Sequence, residues 1–123
     1  MLKILVADHY NIHRIGLVQI LIEAFPGAIV EEVNNLDSLL NKTGTEKWDI
    51  IISGFILPVE KGADIVKKIK NTDPDISLAV CGMQLQKEDI VCLLNAGAST
   101  FIDKGEKASL IVQQVNQILS EKK

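Results

Sequence analysis

The chain is predicted to fold as a doubly wound α/β structure: five parallel strands in the order 2-1-3-4-5, with five helices covering the sheet. Three observations carry this prediction. Five short runs of β-forming residues alternate strictly with helical segments along the sequence. The runs are rich in aliphatic residues, as strands buried on both faces require. The connections are short, so consecutive strands must join through right-handed helical crossovers into a parallel sheet.

Lys3 to Ala7 is the first strand, Asp8-His9-Tyr10-Asn11 a polar loop, and the following helix runs to Phe25-Pro26-Gly27, where proline and glycine stop it. Ala28 to Val33 reads as a second strand. Leu36 to Lys42 is a helix with Leu36, Leu39 and Leu40 inward, and Thr43-Gly44-Thr45 reads as a loop. Ile50 to Ser53 is a strand buried on both faces. After Leu57-Pro58 a helix carries Ala63, Ile65, Val66 and Ile69 at helical spacing, as far as Asp73-Pro74. Leu78 to Cys81 is the fourth strand, Lys87 to Asn95 a helix closed by Gly97, Thr100 to Ile102 the fifth strand, and Ala108 to Glu121 the last helix.

A length of 123 residues and a mass of 13.5 kDa fit one core, so residues 1–123 are expected to form a single domain. Size scaling gives roughly 6,500 Å² of folded surface against about 19,600 Å² unfolded, enough burial that no metal or disulfide staple is needed. Thirteen Lys and Arg against 16 Asp and Glu give a net charge of −3, with 47% apolar and 24% charged residues. This balance excludes wholesale disorder and a strongly basic nucleic-acid surface. Ile15 to Ile22 is the longest uncharged stretch near the start, far shorter than a membrane span, and no signal-cleavage pattern follows it. A cytoplasmic protein without membrane contact is expected. Cys81 and Cys92 lack the spacing of a zinc or CxxC site, and both are expected to be buried thiols.

In a doubly wound sheet the binding crevice lies at the carboxyl ends of the strands. The residues there are Asp8 and His9, Gly54, Gly82, and Asp103 with Lys104. The loop after the first strand has neither a hydroxyl- and glycine-rich phosphate turn nor GxGxxG, and the chain has no Walker motif, nucleophile elbow or HExxH. Enzyme readings therefore start poor.

Several segments at these strand ends resemble the response regulator receiver family. Leu5-Val6-Ala7-Asp8-His9 resembles its first strand and acidic corner, and Asp49 to Gly54 its phosphoacceptor strand. Leu57-Pro58 with Gly62 resembles the loop beyond, Asn95-Ala96-Gly97-Ala98 the end of its fourth helix, and Phe101-Ile102-Asp103-Lys104 its lysine-bearing fifth strand. The resemblance spans almost the whole chain and implies the flavodoxin-like, CheY-like fold. Arg14-Ile15-Gly16-Leu17 and the absence of proline after Lys104 look most like receivers of the LuxR/NarL group.

The resemblance also implies a site. Family members hold Mg²⁺ with two adjacent acids after strand 1 and an aspartate after strand 3, which accepts phosphate; a hydroxyl residue after strand 4 and the strand-5 lysine contact the phosphoryl oxygens. Counting back eight residues from Gly62 places the phosphoacceptor at Gly54, and fifteen from Gly97 places the hydroxyl at Gly82. His9 stands for the second acid and Phe101 for the switch aromatic, so Asp8 and Lys104 are the matching positions. Glycine has no side-chain atom to take a phosphoryl group. With two of three carboxylates gone, and an ammonium nearby, useful Mg²⁺ binding is expected to be lost. Ser53 is the nearest hydroxyl, but strand alternation points it into a helix layer. Asp8 and Lys104 read as an ion pair or as a clamp for an anion. His9 reads as a solvated loop histidine, or as a transition-metal ligand with Asp8 and His13. Gly54 and Gly82 read either as sites of close backbone approach or as sites where a lost side chain stopped mattering.

In the first helix Leu17, Ile20, Leu21 and Ala24 form one apolar stripe and Ile15, Val18 and Ile22 another nearly opposite. The first is expected to face the sheet and the second a protein partner. In the last helix Ile111, Val115, Ile118 and Leu119 are placed inward, with Gln113 and Gln117 outward near Leu110. Dimerisation through helix 4, strand 5 and helix 5 is a further expectation. The function expected is that of a pseudo-receiver: a non-enzymatic, cofactor-free interaction or dimerisation module of two-component signalling. In the LuxR/NarL reading it would regulate transcription through a DNA-binding domain outside this chain, with no nucleic-acid contact of its own. The alternative is a sensor of a small ligand or metal, using the crevice at Gly54 and Gly82 with Asp8, His9 and Lys104 as polar contacts.

Overall fold

The computed structural model describes residues 1–121 of the chain. The elements alternate as β1 (Lys3–Ala7), α1 (Asn11–Ala24), β2 (Ile29–Val33), α2 (Leu36–Thr45), β3 (Ile50–Ser53), α3 (Val59–Thr72), β4 (Ser77–Gly82), α4 (Lys87–Ala96), β5 (Thr100–Asp103) and α5 (Ala108–Glu121). The five strands pair in parallel in the order β2-β1-β3-β4-β5. This is the topology that the alternation predicts.

Alternate residues on each strand feed two cores, because successive side chains point to opposite faces. Leu5, Ile51, Leu78 and Val80 pack with Leu39 of α2, Val66 and Ile69 of α3 and Leu93 of α4. Ile4, Val6, Ile50, Ile52 and Ile102 pack with Leu21 of α1 and Ile111, Val115 and Ile118 of α5. The three central strands are buried along both faces. Edge strand β2 instead carries Glu31 and Glu32, paired with Lys42 and Arg14, and charge on an edge discourages further strand addition.

Four expectations need correction. Thr43-Gly44-Thr45 is the last turn of α2 rather than a loop: Thr43 and Thr45 hydroxyls donate to the carbonyls of Leu39 and Asn41, four residues back, at 2.8 and 2.9 Å. The turn is held from outside as well, since Trp48 Nε1 donates to the Lys42 carbonyl. Strand ends also differ by a residue: β2 omits Ala28, while Ser77, Gly82 and Asp103 join their ladders. Cys92 is exposed on α4, beside the inward Leu93, whereas Cys81 is buried in β4. Burial pushes the Cys81 thiol up to about 12.

The fourth concerns α1. Its inward side carries Arg14, Leu17, Val18 and Leu21, so Val18 packs against the core and does not belong to an exposed stripe. Ile15 and Ile22 do face outward, 57% and 49% exposed, and are joined there by Ile12. The wheel alone offered two apolar stripes of similar strength. Arg14, buried and reaching under the β1–α1 loop, is what sets the rotation.

Two expectations follow. At pH 8 a thiol reagent should modify one cysteine of the folded protein, Cys92, and a second only in denaturant, because Cys81 is both covered and protonated. Val18→Glu should cost about 2 kcal/mol in urea unfolding, whereas Ile15→Glu should stay within about 0.5 kcal/mol of the parent.

Candidate functional site

Three hydrogen bonds continue the sheet past its strand ends: Asp8 N to the Val33 carbonyl at 3.2 Å, Gly54 N to the Ala7 carbonyl at 2.7 Å, and Lys104 N to the Gly82 carbonyl at 2.8 Å. They bring Asp8, Gly54, Gly82 and Lys104 together at the carboxyl ends of the strands. Of the strand-end groups singled out in the sequence, Asp103 turns aside, its Oδ1 accepting from Gly105 N at 2.7 Å.

Lys104 Nζ donates to Asp8 Oδ2 at 2.8 Å. The other carboxylate oxygen, Oδ1, accepts from Tyr10 N at 2.9 Å. Asp8 is 3% exposed and the Lys104 side chain 11%. The ammonium also lies 5.3 Å from the centre of the Tyr10 ring. A buried carboxylate and ammonium each carry a large desolvation penalty, and each is tolerable because the other is there.

The pair occupies space that a side chain at position 54 would need. A Cβ built on Gly54 would lie 2.7 Å from Asp8 Oδ2 and 2.9 Å from its Cγ, inside van der Waals contact. Gly82 is similarly filled: a Cβ there would collide with Ile56 Cδ1 and sit 3.5 Å from Leu85 and Phe101 side-chain atoms. At both glycines the approaching atoms are the ends of side chains, Asp8 Oδ2 at position 54 and Ile56 Cδ1 at position 82, and no backbone atom comes as close. Around them lies a crevice of about 370 Å³, with Tyr10, Leu57 and Met83 as exposed apolar walls.

The remaining candidates fall into place around this pair. Ser53 is buried, facing the α2–α4 layer, and its Oγ accepts from Phe55 N at 3.2 Å. Phe101 is half-buried against that layer, and its carbonyl accepts from Gln114 Nε2 at 3.0 Å. His9 is exposed, its ring edge-on to Tyr10 at 5.4 Å, and His13 meets the other side of Tyr10 at 6.2 Å. Ile15 and Ile22 lie on α1 outside the crevice.

Two functional residues escaped the sequence reading. Arg14, 9% exposed, donates to the Asp8 carbonyl at 2.9 Å, to Glu32 Oε1 at 2.6 Å and to Asn11 Oδ1 at 2.9 Å, clamping the loop that aims Asp8. Its spacing from Leu17, Val18 and Leu21 is the helical signal that it faces inward. Ile56 has no such signal, since it lies in an irregular connection.

Residues 4–116 match the family model for the response regulator receiver domain. The chain belongs to that family. It is similar to the glycerol metabolism activator of Pseudomonas putida, 29% identical over 121 residues, which cover 98% of this chain and 55% of that protein. The chain thus spans about half the length of that relative. It is also similar to chemotaxis protein CheY of Thermotoga maritima, 27% identical over 116 residues, covering 94% of this chain and 96% of that protein. A CheY-like receiver domain from Methanospirillum hungatei JF-1 superimposes with a TM-score of 0.86 at 24% identity, covering 99% and 96% of the two chains.

Receivers are signalling modules, and the family implies Mg²⁺, which the donors of this receiver do not fit. Mg²⁺ takes six oxygens in near-octahedral geometry. Here position 54 supplies none, position 9 is an exposed imidazole, and the Asp8 oxygens already accept from Lys104 and Tyr10. Among the described residues no three His, Cys, Asp or Glu side chains converge to hold a metal. That also leaves Asp8, His9 and His13 without the geometry of a transition-metal site.

A double-mutant cycle tests the pair. Asp8→Ala and Lys104→Met should each cost about 3 kcal/mol in urea unfolding, since each strands a buried charge or its partner. The double variant should be less destabilised than the sum by at least about 1 kcal/mol.

Proposed function

We propose that this receiver is a pseudo-receiver, a signalling module whose output is a protein contact and whose state is not set by aspartyl phosphorylation. One observation carries the reading: the Asp8 carboxylate, paired with Lys104, stands where an acceptor side chain at position 54 would have to be. Ile56 stands where the hydroxyl of position 82 would be. Receiving a phosphoryl group in the family manner would need a nucleophilic oxygen, a metal and a hydroxyl, and none of the matching positions supplies its part. The protein acts without Mg²⁺ and is not an enzyme.

The contact surface we favour is α1. Ile12, Ile15 and Ile22 are exposed aliphatics on one face of one helix, with the polar Gln19 between Ile15 and Ile22, and exposed apolar residues grouped in this way favour a protein contact there. The α4–β5–α5 face, with Val91, Leu94 and Leu110 exposed, is the other surface on which a second copy or a protein partner would seat. No helix among the described residues is long and apolar enough to cross a membrane, in keeping with action in the cytoplasm. The similarity to half of a protein named as an activator supports transcription regulation through an output domain, as in the LuxR/NarL group. With a net charge of −3 this portion makes no DNA contact itself. The sensor reading at Gly54 and Gly82 loses support from the filling of both positions by Asp8 and Ile56.

The test is intact mass after incubation with acetyl phosphate and Mg²⁺, beside a receiver that retains its aspartate. The expected result is an unchanged mass here and one added phosphoryl group in the control. An acid-stable, base-labile adduct on this protein would overturn the reading.

A further inference from the structure

Beside the Asp8–Lys104 pair, on the α1–α5 side of the sheet, lies a second and smaller cavity of about 160 Å³. Its floor is Cys81 and Ile102, its walls are Ile12, Ile20 and Ile111, and Gly16 sits at its rim. Gly16 is in the middle of α1, where glycine is the least favourable residue apart from proline. Packing does not require it, because a Cβ built there would meet no atom within 4 Å. The glycine therefore leaves open space on the α1 side of an apolar hollow, between Ile12, His13, Leu17 and Ile20 of the same helix.

The hollow is the size of one small ring: an apolar cavity of about 150 Å³ takes a benzene molecule. One end is polar, since Asp8, His13 and Lys104 reach it. The charges of Asp8 and Lys104 cancel, so an anionic guest would bring a second negative charge against Asp8, and a cationic guest would face the ammonium. An ammonium has three N–H donors, and among the described residues that of Lys104 has Asp8 as its one hydrogen-bonding partner, so donors are left for a neutral oxygen.

We propose that this cavity is a binding site for a small, neutral, single-ring molecule carrying one oxygen, with the ring on Ile102, Ile111 and Ile20 and the oxygen toward Lys104. The site adjoins the Gly54–Gly82 crevice, sharing His13, Cys81 and Lys104 with it, and does not depend on whether the protein can be phosphorylated. Occupancy would couple to the buried ion pair through Lys104, which lines both cavities.

Phenol is the probe, with benzoate as the charged comparison, followed by methyl NMR of isoleucine-labelled protein. Phenol should shift the Ile102 and Ile111 methyl signals saturably in the millimolar range and leave Ile76, in the opposite core, unmoved. Benzoate should bind at least fivefold more weakly. Gly16→Leu should weaken phenol binding at least tenfold, while Gly16→Ala, which places one methyl in open space, should bind within threefold of the parent. No saturable shift at Ile102 and Ile111 in the parent protein would overturn the proposal, independently of how any variant folds. So would equal shifts at all isoleucines, or undiminished binding by a folded Gly16→Leu protein.

Discussion

A carboxylate and an ammonium held 2.8 Å apart, nearly closed off from water, decide what the strand ends of this protein can do. Asp8 is a residue that receivers resembling this chain use on a metal; here its charge is balanced by Lys104 instead. Each charge is buried only because the other is present, so neither can be released to a ligand without stranding its partner. The Tyr10 amide holds the second carboxylate oxygen, and Arg14 holds the Asp8 carbonyl, so the loop that presents the pair is fixed from two sides.

The surroundings of the two glycines fit that arrangement. With Asp8 turned toward Lys104, a Cβ at position 54 would lie 2.7 Å from Asp8 Oδ2, so any side chain there would require the carboxylate to move. At position 82 the filling is hydrocarbon: Ile56 reaches across from the β3–α3 connection, and Leu85 and Phe101 close in beside it. The strand ends thus hold one ion pair beside a hydrocarbon filling made by Ile56, Leu85 and Phe101. The low local dielectric strengthens the pair, and the pair in turn leaves no unmatched charge beside that filling.

The sheet was legible in the sequence because parallel strands buried on both faces leave a strong mark: Lys3 to Ala7, Ile50 to Ser53 and Leu78 to Cys81 are short aliphatic runs that nothing else explains well. Helix ends were legible where chemistry marks them, as at Gly97, with φ +128°, and not at Thr43-Gly44-Thr45, where hydroxyls bonded to the preceding turn let a polar, glycine-bearing segment stay helical. Glycine at 54 and 82, the positions that the family resemblance gives to the acceptor and the hydroxyl, could be counted from the sequence. What fills them could not, because the reach of Ile56 depends on the path of an irregular connection. The rotation of α1 was missed for a related reason: Val18 and Ile15 are equally apolar, and the buried Arg14 that chooses between them reads in a sequence as a surface charge. Cys92 was misplaced because cysteine favours interiors, whereas α4 turns Leu93 inward and leaves position 92 at the surface.

If the Asp8–Lys104 pair holds the strand ends in one state, Mg²⁺ and a phosphoryl mimic should leave them unchanged. Amide and lysine ¹H–¹⁵N spectra, recorded with and without Mg²⁺ plus beryllofluoride, test it most directly. The signals of Asp8, Tyr10, Gly54, Gly82 and the Lys104 ammonium should superimpose. Saturable shifts at these residues, with the Lys104 ammonium moving off Asp8, would contradict it.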